Sequence, residues 1–190
     1  MFALDKWLTD AEALFADTRG RRLDSTMEAA IRATASALAA GRPLLVCGNG
    51  GSAADAQHIV GEMVGRFLKE RRALKAICLS SNPAVLTAWS NDYSYETVFS
   101  RQVEAYGEPG GVLLGLSTSG NSPNVLAALV AARAAGMTTI GMTGAGGGKM
   151  ASLCDYLFAV PSSATPAIQQ VHLALYHCFC ANVEEAVFAG

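Results

Sequence analysis

A glycine-rich turn runs directly into a segment that carries one histidine and one glutamate. Residues 44–47 are apolar, residues 48–53 read Gly-Asn-Gly-Gly-Ser-Ala, and His58 and Glu62 follow. A strand that passes through such a turn into a helix points free backbone N–H groups at a ligand, which is usually an anion. His58 and Glu62 are four residues apart, so both lie on one face of that helix. The pair can hold a divalent metal or act as acid and base, although the same spacing also suits an ordinary solvated pair.

A second polar turn occupies residues 117–122 and precedes Pro123. Ser122 is a favourable N-cap, and Pro123 suits the first helical position. Hydroxyl groups, backbone N–H groups and a helix N-terminus then converge at one place, which makes an anion site without lysine or arginine. A hydroxyl-rich cap with no ligand is the alternative. Five Ser, Thr or Asn side chains in six positions favour phosphate binding.

Two glycine patterns resemble nucleotide-binding motifs but lack residues that those motifs need. The turn at residues 48–53 matches G-x-G-x-x-A, yet residues 78–82, at the end of the next strand, contain no Asp or Glu to bind a ribose. Residues 143–150 suggest a P-loop, but Met150 stands where a Ser or Thr would bind the metal. We therefore expect no nucleotide cofactor, and a flexible loop at residues 143–150.

The remaining histidines, His172 and His177, lie on a predicted C-terminal helix. They are about 140° apart around its axis, so they cannot both face one small site. Gln169 is about 80° from His177 and about 60° from His172. Spacing alone slightly favours His172 as the partner of Gln169, and a hydrogen-bonded core or interface position suits either histidine nearly as well.

These segments belong to an alternating series of apolar strands and helices, which indicates a parallel sheet covered on both faces. We predict one α/β domain over residues 1–190, a three-layer αβα sandwich with a five-stranded parallel sheet. It comprises N-terminal helices (1–40), an α/β core (41–163) and a C-terminal helix (164–190). Strands are predicted at 43–47, 74–79, 112–116, 138–142 and 156–160. Helices are predicted at 52–68, 94–106, 122–135 and 165–188, with a shorter one at 83–90 or 147–153.

The predicted elements also position the two polar turns and the helix that carries His58. Ser52 and Asp55 predict a capping box at the start of the helix that carries His58. Ligands in parallel sheets bind at the carboxyl ends of the strands, where both polar turns fall. We therefore expect the two turns to form one site.

Composition limits the class of protein and its partners. Of 190 residues, 16% are charged and 51% apolar, and the net charge is −2 without a basic patch, which argues against nucleic acid as the main ligand. No apolar stretch is long enough to span a membrane, and such an apolar excess is often buried between subunits. The first residues lack the order of a signal peptide, and the five cysteines lack metal-type spacing. We expect a cytoplasmic protein with reduced thiols, in which Cys178 and Cys180 are packing residues.

Taken together, these motifs resemble the sugar-isomerase (SIS) family, whose core is flavodoxin-like. The resemblance covers nearly the whole chain in the family order: residues 47–52, 117–122, 143–144, 147–150 and 168–169, followed by His172 and His177. More narrowly, it points to the branch that converts sedoheptulose 7-phosphate to D-glycero-D-manno-heptose 7-phosphate through an enediol. That resemblance implies one zinc ion per subunit and a cytoplasmic homotetramer with active sites between subunits. It also implies a product used for the heptose of lipopolysaccharide or capsule.

The resemblance also assigns site residues by position. It implies that Glu62 and His177 are the catalytic pair, and so it prefers His177 to His172. The implied zinc ligands are His58, Glu62, Gln169 and His177. The implied substrate contacts are Asn49, Gly50, Gly51, Glu62, Asn91, Asp92, Ser117, Thr118, Ser119, Ser122 and Gln169.

Three residues depart from the family pattern, and two alternative functions stay open. Gln170 stands where the family usually has Glu, and Pro166 and Ala167 stand where it often has Asp and Arg. One alternative is a non-catalytic phosphosugar-binding scaffold for the bacterial replication initiator, from an SIS branch in which the positions of Glu62 and His177 do not form the acid–base pair. The other is an isomerase of a different phosphosugar, such as a pentose 5-phosphate, although those relatives commonly carry a regulatory domain.

Overall fold

A central parallel sheet with helices on both faces is the frame of the protein. The computed structural model describes residues 3–188; residues 1–2 and 189–190, the ends of the predicted domain, lie outside the described residues. Two helices, α1 (Leu4–Gly20) and α2 (Asp24–Ala39), come first. Strands and helices then follow in this order: β1 (Leu44–Gly48), α3 (Gly51–Val64), β2 (Ala76–Cys78), α4 (Pro83–Asp92), α5 (Val98–Tyr106), β3 (Val112–Ser117), α6 (Pro123–Ala134), β4 (Thr138–Thr143), β5 (Tyr156–Ala159) and α7 (Thr165–Phe188).

The five strands are parallel and stand in the order β2-β1-β3-β4-β5. This is the flavodoxin-like order of doubly wound sheets, so the predicted fold class is confirmed. The register places Gly48 opposite Leu116, and Ser117 opposite Thr143. Since β1 and β3 are neighbours and run the same way, the turns that follow them lie side by side at one edge.

The strands contribute alternate side chains to two cores, one on each face of the sheet. On one face Leu44 and Val46 of β1 pack with α2, α3 and α7. On the other face Leu45 and Cys47 pack with α5 and α6. Each fully buried side chain of this size contributes about 1.5–3 kcal/mol, which explains why apolar runs without alternation form the strands.

The bounds of three predicted helices differ from those observed. The helix predicted at 52–68 ends at Val64. The segment predicted at 94–106 is split into a 3₁₀ turn, Tyr95–Thr97, and α5. Both alternatives for the short helix exist, since α4 covers residues 83–92 and a 3₁₀ helix covers Gly148–Ser152.

Two other sequence-based predictions are wrong, and a third stays a prediction. There is no capping box, because the N-cap of α3 is Gly50 and makes no side-chain hydrogen bond. The end of the loop at 143–150 is fixed, since the N–H of Met150 donates to Gly120 O over 3.0 Å and Met150 is buried, but Ala145 and Gly146 are exposed and the flexibility of the loop stays a prediction. Cys180 is buried as predicted, but Cys178 is exposed and so is not a packing residue.

A buried ion pair joins the segment that follows α3 to α7. Arg71 Nε donates to Glu184 Oε1 over 2.9 Å, and their side chains are 2% and 1% exposed. Glu184 also accepts the backbone N–H groups of Phe67, Leu68 and Lys69, at 2.7–3.0 Å. Burial raises the pKa of Glu184, but these N–H groups and the guanidinium outweigh it and hold the pKa below its usual value. The pair therefore keeps its charges inside the protein.

Within residues 3–188, no helix combines the length and hydrophobicity that a membrane crossing requires.

We predict that Glu184→Gln lowers the free energy of unfolding at pH 7 by about 3–5 kcal/mol, because Arg71 is left buried without a counter-charge. The folded-state pKa of Glu184 is depressed, so its contribution is complete above the unfolded-state pKa of about 4.3 and is lost as the pH falls through the lower folded-state pKa. Urea unfolding at pH 7 and at pH 3 should therefore show the two proteins converging at the acid pH. Glu185→Gln is the control, since its exposed pair with Lys69 contributes only about 0–1 kcal/mol. A constant difference between the proteins at both pH values would contradict the prediction.

Candidate active site

Two side-chain amides connect the turn after β1 to the turn after β3. Asn49 Nδ2 donates to Asn124 Oδ1 over 2.8 Å, and Asn124 Nδ2 donates to Asn49 Oδ1 over 2.9 Å. Tyr95 OH donates to the same Asn49 oxygen over 2.8 Å. Asn124 is 2% exposed in the first turn of α6, so this pairing is part of the interior. Sequence reasoning missed Asn124 and Tyr95; a polar residue directly after Ser122 and Pro123 was the available signal for Asn124.

The turn after β3 gathers hydroxyl groups at the N-terminus of α6. Ser117 Oγ lies 2.8 Å from Ser122 Oγ and 3.4 Å from Ser119 Oγ. Thr118 Oγ1 lies 3.2 Å from Thr165 Oγ1, at the start of α7. Ser122 is the N-cap of α6, as predicted, but its side chain makes no capping hydrogen bond. Pro123 has no N–H group, and the N–H of Val125 donates to Asn124 Oδ1 over 3.0 Å. An anion at this turn would therefore be bound mainly by the hydroxyl groups and by the positive end of the α6 dipole.

A potential metal site lies where α3 meets α7. His58 Nε2 is 3.0 Å from Glu62 Oε1 and 3.5 Å from His177 Nε2. One ligand atom from each of the three residues lies within 4.8 Å of the others. Two nitrogens bound at about 2.0–2.1 Å to one tetrahedral ion are about 3.3 Å apart. The donors and their spacing therefore fit a divalent metal.

The second ring nitrogen of His58 is held by a tyrosine. Tyr176 OH lies 3.0 Å from His58 Nδ1 and 3.4 Å from Asp55 Oδ1. If the tyrosine donates to Asp55, it accepts from His58 Nδ1–H and leaves the His58 Nε2 lone pair for a metal. Burial raises the pKa of both Asp55 and Tyr176. The role of Asp55 here, rather than at a helix cap, could have been inferred from its spacing of three residues from His58.

His172 does not belong to the site. It is fully buried, and its Nε2 lies 3.1 Å from Thr143 O. Burial lowers the pKa of His172, which keeps the imidazole neutral in the core. The preference for His172 that spacing alone suggested is therefore wrong, and His177 is the histidine that approaches His58.

The other residues predicted to contact substrate or zinc lie in two places, beside the first turn of α3 and at the exposed end of α4. Gln169 lies against the first turn of α3, since a Cβ added to Gly51 would be 2.5 Å from Gln169 Nε2. Gly50, beside it, has φ of +54°, a conformation that favours glycine. Asn91 Nδ2 donates to Asp92 Oδ1 over 2.9 Å at the exposed end of α4. For residues 3–188, no side-chain hydrogen bond links Asn91 or Asp92 to either turn.

The three residues that depart from the family pattern lie together in one groove. Pro166, Ala167 and Gln170 line a groove between α1 and α7, together with Trp7 and Asp10.

Comparison with known proteins decides the family. The family model for the SIS domain matches residues 6–144. The phosphoheptose isomerase of Rhodospirillum rubrum is 57% identical over 160 residues, which cover 84% of this chain and 85% of that protein. The chain belongs to the SIS domain family, in its phosphoheptose isomerase branch. Another phosphoheptose isomerase of this family, from Synechocystis, is 48% identical over 186 residues, covering 98% of this chain and 96% of that protein. The solved phosphoheptose isomerase of Neisseria gonorrhoeae has a TM-score of 0.90 at 37% identity, with coverage of 96% and 97%.

We predict that Gly120→Ala weakens anion binding by at least about tenfold, from the loss of about 1.4 kcal/mol or more. Gly120 has φ of +64°, and an added Cβ would lie 2.1 Å from Gly147 O, so the turn must move away from the adjoining loop. Gly146→Ala is the matched control, because its φ of +77° carries the same backbone strain but nothing lies within 4 Å of the added Cβ. A ³¹P NMR titration with inorganic phosphate measures both. Equal losses of phosphate affinity in the two variants would show that backbone strain, and not the contact of the added Cβ with Gly147 O, is responsible.

Proposed function

We propose that this protein is an aldose–ketose isomerase that converts sedoheptulose 7-phosphate to D-glycero-D-manno-heptose 7-phosphate. The observation that carries the proposal is the convergence of His58, Glu62 and His177 where α3 meets α7. The same α3 begins at the glycine turn, which the Asn49–Asn124 amide pair joins to the hydroxyl-rich turn. Relatives named phosphoheptose isomerase at 48–57% identity support the choice of a phosphorylated heptose.

The turn after β3 anchors the phosphate in this proposal. Ser117, Thr118, Ser119 and Ser122 supply hydroxyl donors, and α6 supplies the positive end of its dipole. Asn49, Gly50 and Gly51 line the adjoining turn, with Asn91 and Asp92 as further substrate contacts. A phosphate held at one end fixes the sugar so that C1 and C2 reach the side chains of α3, which replaces a random encounter by a positioned one.

Glu62 is the proposed base. It takes the C1 proton of the open-chain ketose, which gives the enediol, and returns a proton to C2, which gives the aldose. His177 is the proposed acid–base partner, which transfers the proton between the O1 and O2 atoms and assists ring opening. Glu62 Oε1 faces His58, so the second carboxylate oxygen is available for the proton.

A zinc ion is the proposed cofactor, held by His58, Glu62 and His177 with Gln169 as the fourth ligand. The fit of the three donors and the Tyr176 contact to His58 Nδ1 support this assignment. When bound, zinc supplies Lewis-acid polarisation of the sugar oxygens.

The two alternative functions receive less support. The scaffold for a replication initiator implies a chain in which the Glu62 and His177 positions do not form the acid–base pair, whereas here both side chains converge. The relatives reported above are named as isomerases of phosphoheptose, and so neither the scaffold nor a pentose 5-phosphate isomerase is favoured by them.

We expect the wild-type protein, supplied with zinc, to produce aldoheptose 7-phosphate signals from sedoheptulose 7-phosphate in D₂O, measured by proton NMR. Glu62→Gln should fold with the same circular dichroism and lose at least about 10³-fold in rate, because it lacks the base. Gly146→Ala, purified and assayed in the same way, is the control for any loss of rate caused by preparing a variant protein. Near-normal turnover by Glu62→Gln would remove Glu62 as the base, and no product from folded wild type would reject the reaction.

We also propose a homotetramer with active sites between subunits, supported by the exposure of large apolar residues on α1, namely Leu4, Trp7, Leu8 and Phe15. Native mass spectrometry should give four subunits and four zinc ions, and His177→Asn should keep four subunits but lose zinc, because one ligand is gone. A monomer, or undiminished zinc in His177→Asn, would contradict the respective proposal.

We place the protein in the cytoplasm and its product in the synthesis of surface heptose, for lipopolysaccharide or capsule. All five cysteines are free thiols, which suits a reducing compartment. Recovery in the soluble cytosolic fraction, and loss of surface heptose on deletion of the gene, are the outcomes that check these two assignments.

A further inference from the structure

The segment between α3 and β2 is attached to the last turn of the helix that carries the proposed base. Arg71 Nη2 donates to Glu62 O over 2.6 Å, and Arg71 Nη1 donates to Met63 O and Gly65 O over 2.9 Å. Glu62 is the third residue from the end of α3. Carbonyl groups in this position lack intrahelical partners and the last turn of a helix frays, so the guanidinium fixes backbone that would otherwise move.

The same segment is attached to the helix that carries the proposed acid–base histidine. Glu184 lies seven residues after His177, two turns along the same face of α7. Its carboxylate accepts three consecutive backbone N–H groups of the segment, from residues 67–69, as well as Arg71 Nε. All of these donors satisfy one buried carboxylate, so the segment cannot shift on α7 without breaking charge-assisted hydrogen bonds.

The segment also packs directly on the imidazole of His177. The Phe67 ring stacks on the His177 ring, with centroids 5.5 Å apart and planes at 24°. His58 packs edge-on to the His177 ring at 5.1 Å. The orientation of His177 is thus set by an aromatic residue whose own backbone N–H is bound to Glu184.

We propose that Arg71 and Glu184 are positioning residues for the isomerisation. Their ion pair holds the Glu62 backbone through Arg71 and the His177 ring through Phe67, and so sets the distance between the two groups that act on the sugar. The inference rests on the proposed function. A purely structural role does not require this arrangement, since buried ion pairs are often replaceable by apolar residues without loss of stability.

Arg71→Lys is the principal test, because lysine keeps the positive charge beside Glu184 but cannot span the three carbonyl groups at the end of α3 that the guanidinium binds. We expect kcat for sedoheptulose 7-phosphate to fall by about 10-fold to 100-fold, as small displacements of catalytic groups do. KM should change by less than about threefold, because the phosphate-binding turn lies on β3 and α6. Glu185→Gln, which removes the exposed pair with Lys69 on the same segment and helix, should keep both constants. All assays are run at a temperature below the midpoint of thermal unfolding of each variant, so that a fall in kcat does not reflect unfolding.

Phe67→Leu is a second test, which removes the aromatic ring stacked on His177 but leaves the ion pair intact. The chain has three histidines, so the imidazole Cε1–H signals of protein labelled with ¹³C-histidine can be assigned by single substitutions. We expect the His177 signal to lose the ring-current shift of Phe67 in Phe67→Leu and to move in the same direction in Arg71→Lys, while the buried His172 signal stays. In both variants kcat should fall.

The outcomes distinguish failure of the positioning role from failure of the proposed function. Unchanged kcat in folded Arg71→Lys and Phe67→Leu, with an unchanged His177 signal in Arg71→Lys, would overturn the positioning role and leave a structural ion pair. Failure of the wild-type protein to isomerise the sugar would reject the proposed function, whereas the His177 signal would still report whether Arg71 holds the Phe67 stack.

Discussion

The arrangement of the site depends on the adjacency of β1 and β3 in a parallel sheet. Parallel neighbours must end at the same edge, and the register places Gly48 beside Leu116. The helices that follow these strands pack on opposite faces, α3 with the core of Leu44 and Val46 and α6 with the core of Leu45 and Cys47. This is the point at which the strand order reverses direction, where doubly wound proteins bind ligands. The amide pair of Asn49 and Asn124 bridges that reversal.

The two kinds of chemistry are divided between loops and helices. In the proposed function the turns bind an anion, which needs several weak donors but little accuracy in any one of them. His58, Glu62 and His177 stand on helices, whose rotation is set by fully buried residues such as Ile59 and Phe179. Groups that must hold a metal or move a proton need more accurate placement than loops provide, and helices packed on a core supply it.

Buried polar groups show how the fold tolerates charge near this site. Glu184 is fully buried but accepts four hydrogen bonds, three of them from backbone N–H groups, and so its pKa remains low. His172 is equally buried and has one acceptor, and burial lowers its pKa so that it stays neutral. The difference follows from the number of partners available to the charged form, not from depth of burial.

The sequence by itself determined the fold class, the positions of most strands and helices, and the two polar turns at the edge of the sheet. These features depend on hydrophobic periodicity and turn chemistry, which act over a few residues. It also determined that His58 and Glu62 share a face, because their spacing is local.

Residue spacing could not decide which histidine joins them; the family resemblance pointed to His177, and the tertiary structure supplies the reason, which is the rotation of α7 against α3. Only the tertiary structure decided the role of Asp55 and the pairs Asn49–Asn124 and Arg71–Glu184, which are 75 and 113 residues apart. A side chain at such a separation has no local signal that names its partner. Packing of the helices on the sheet brings the two together, and the burial of polar or charged groups then makes a partner necessary.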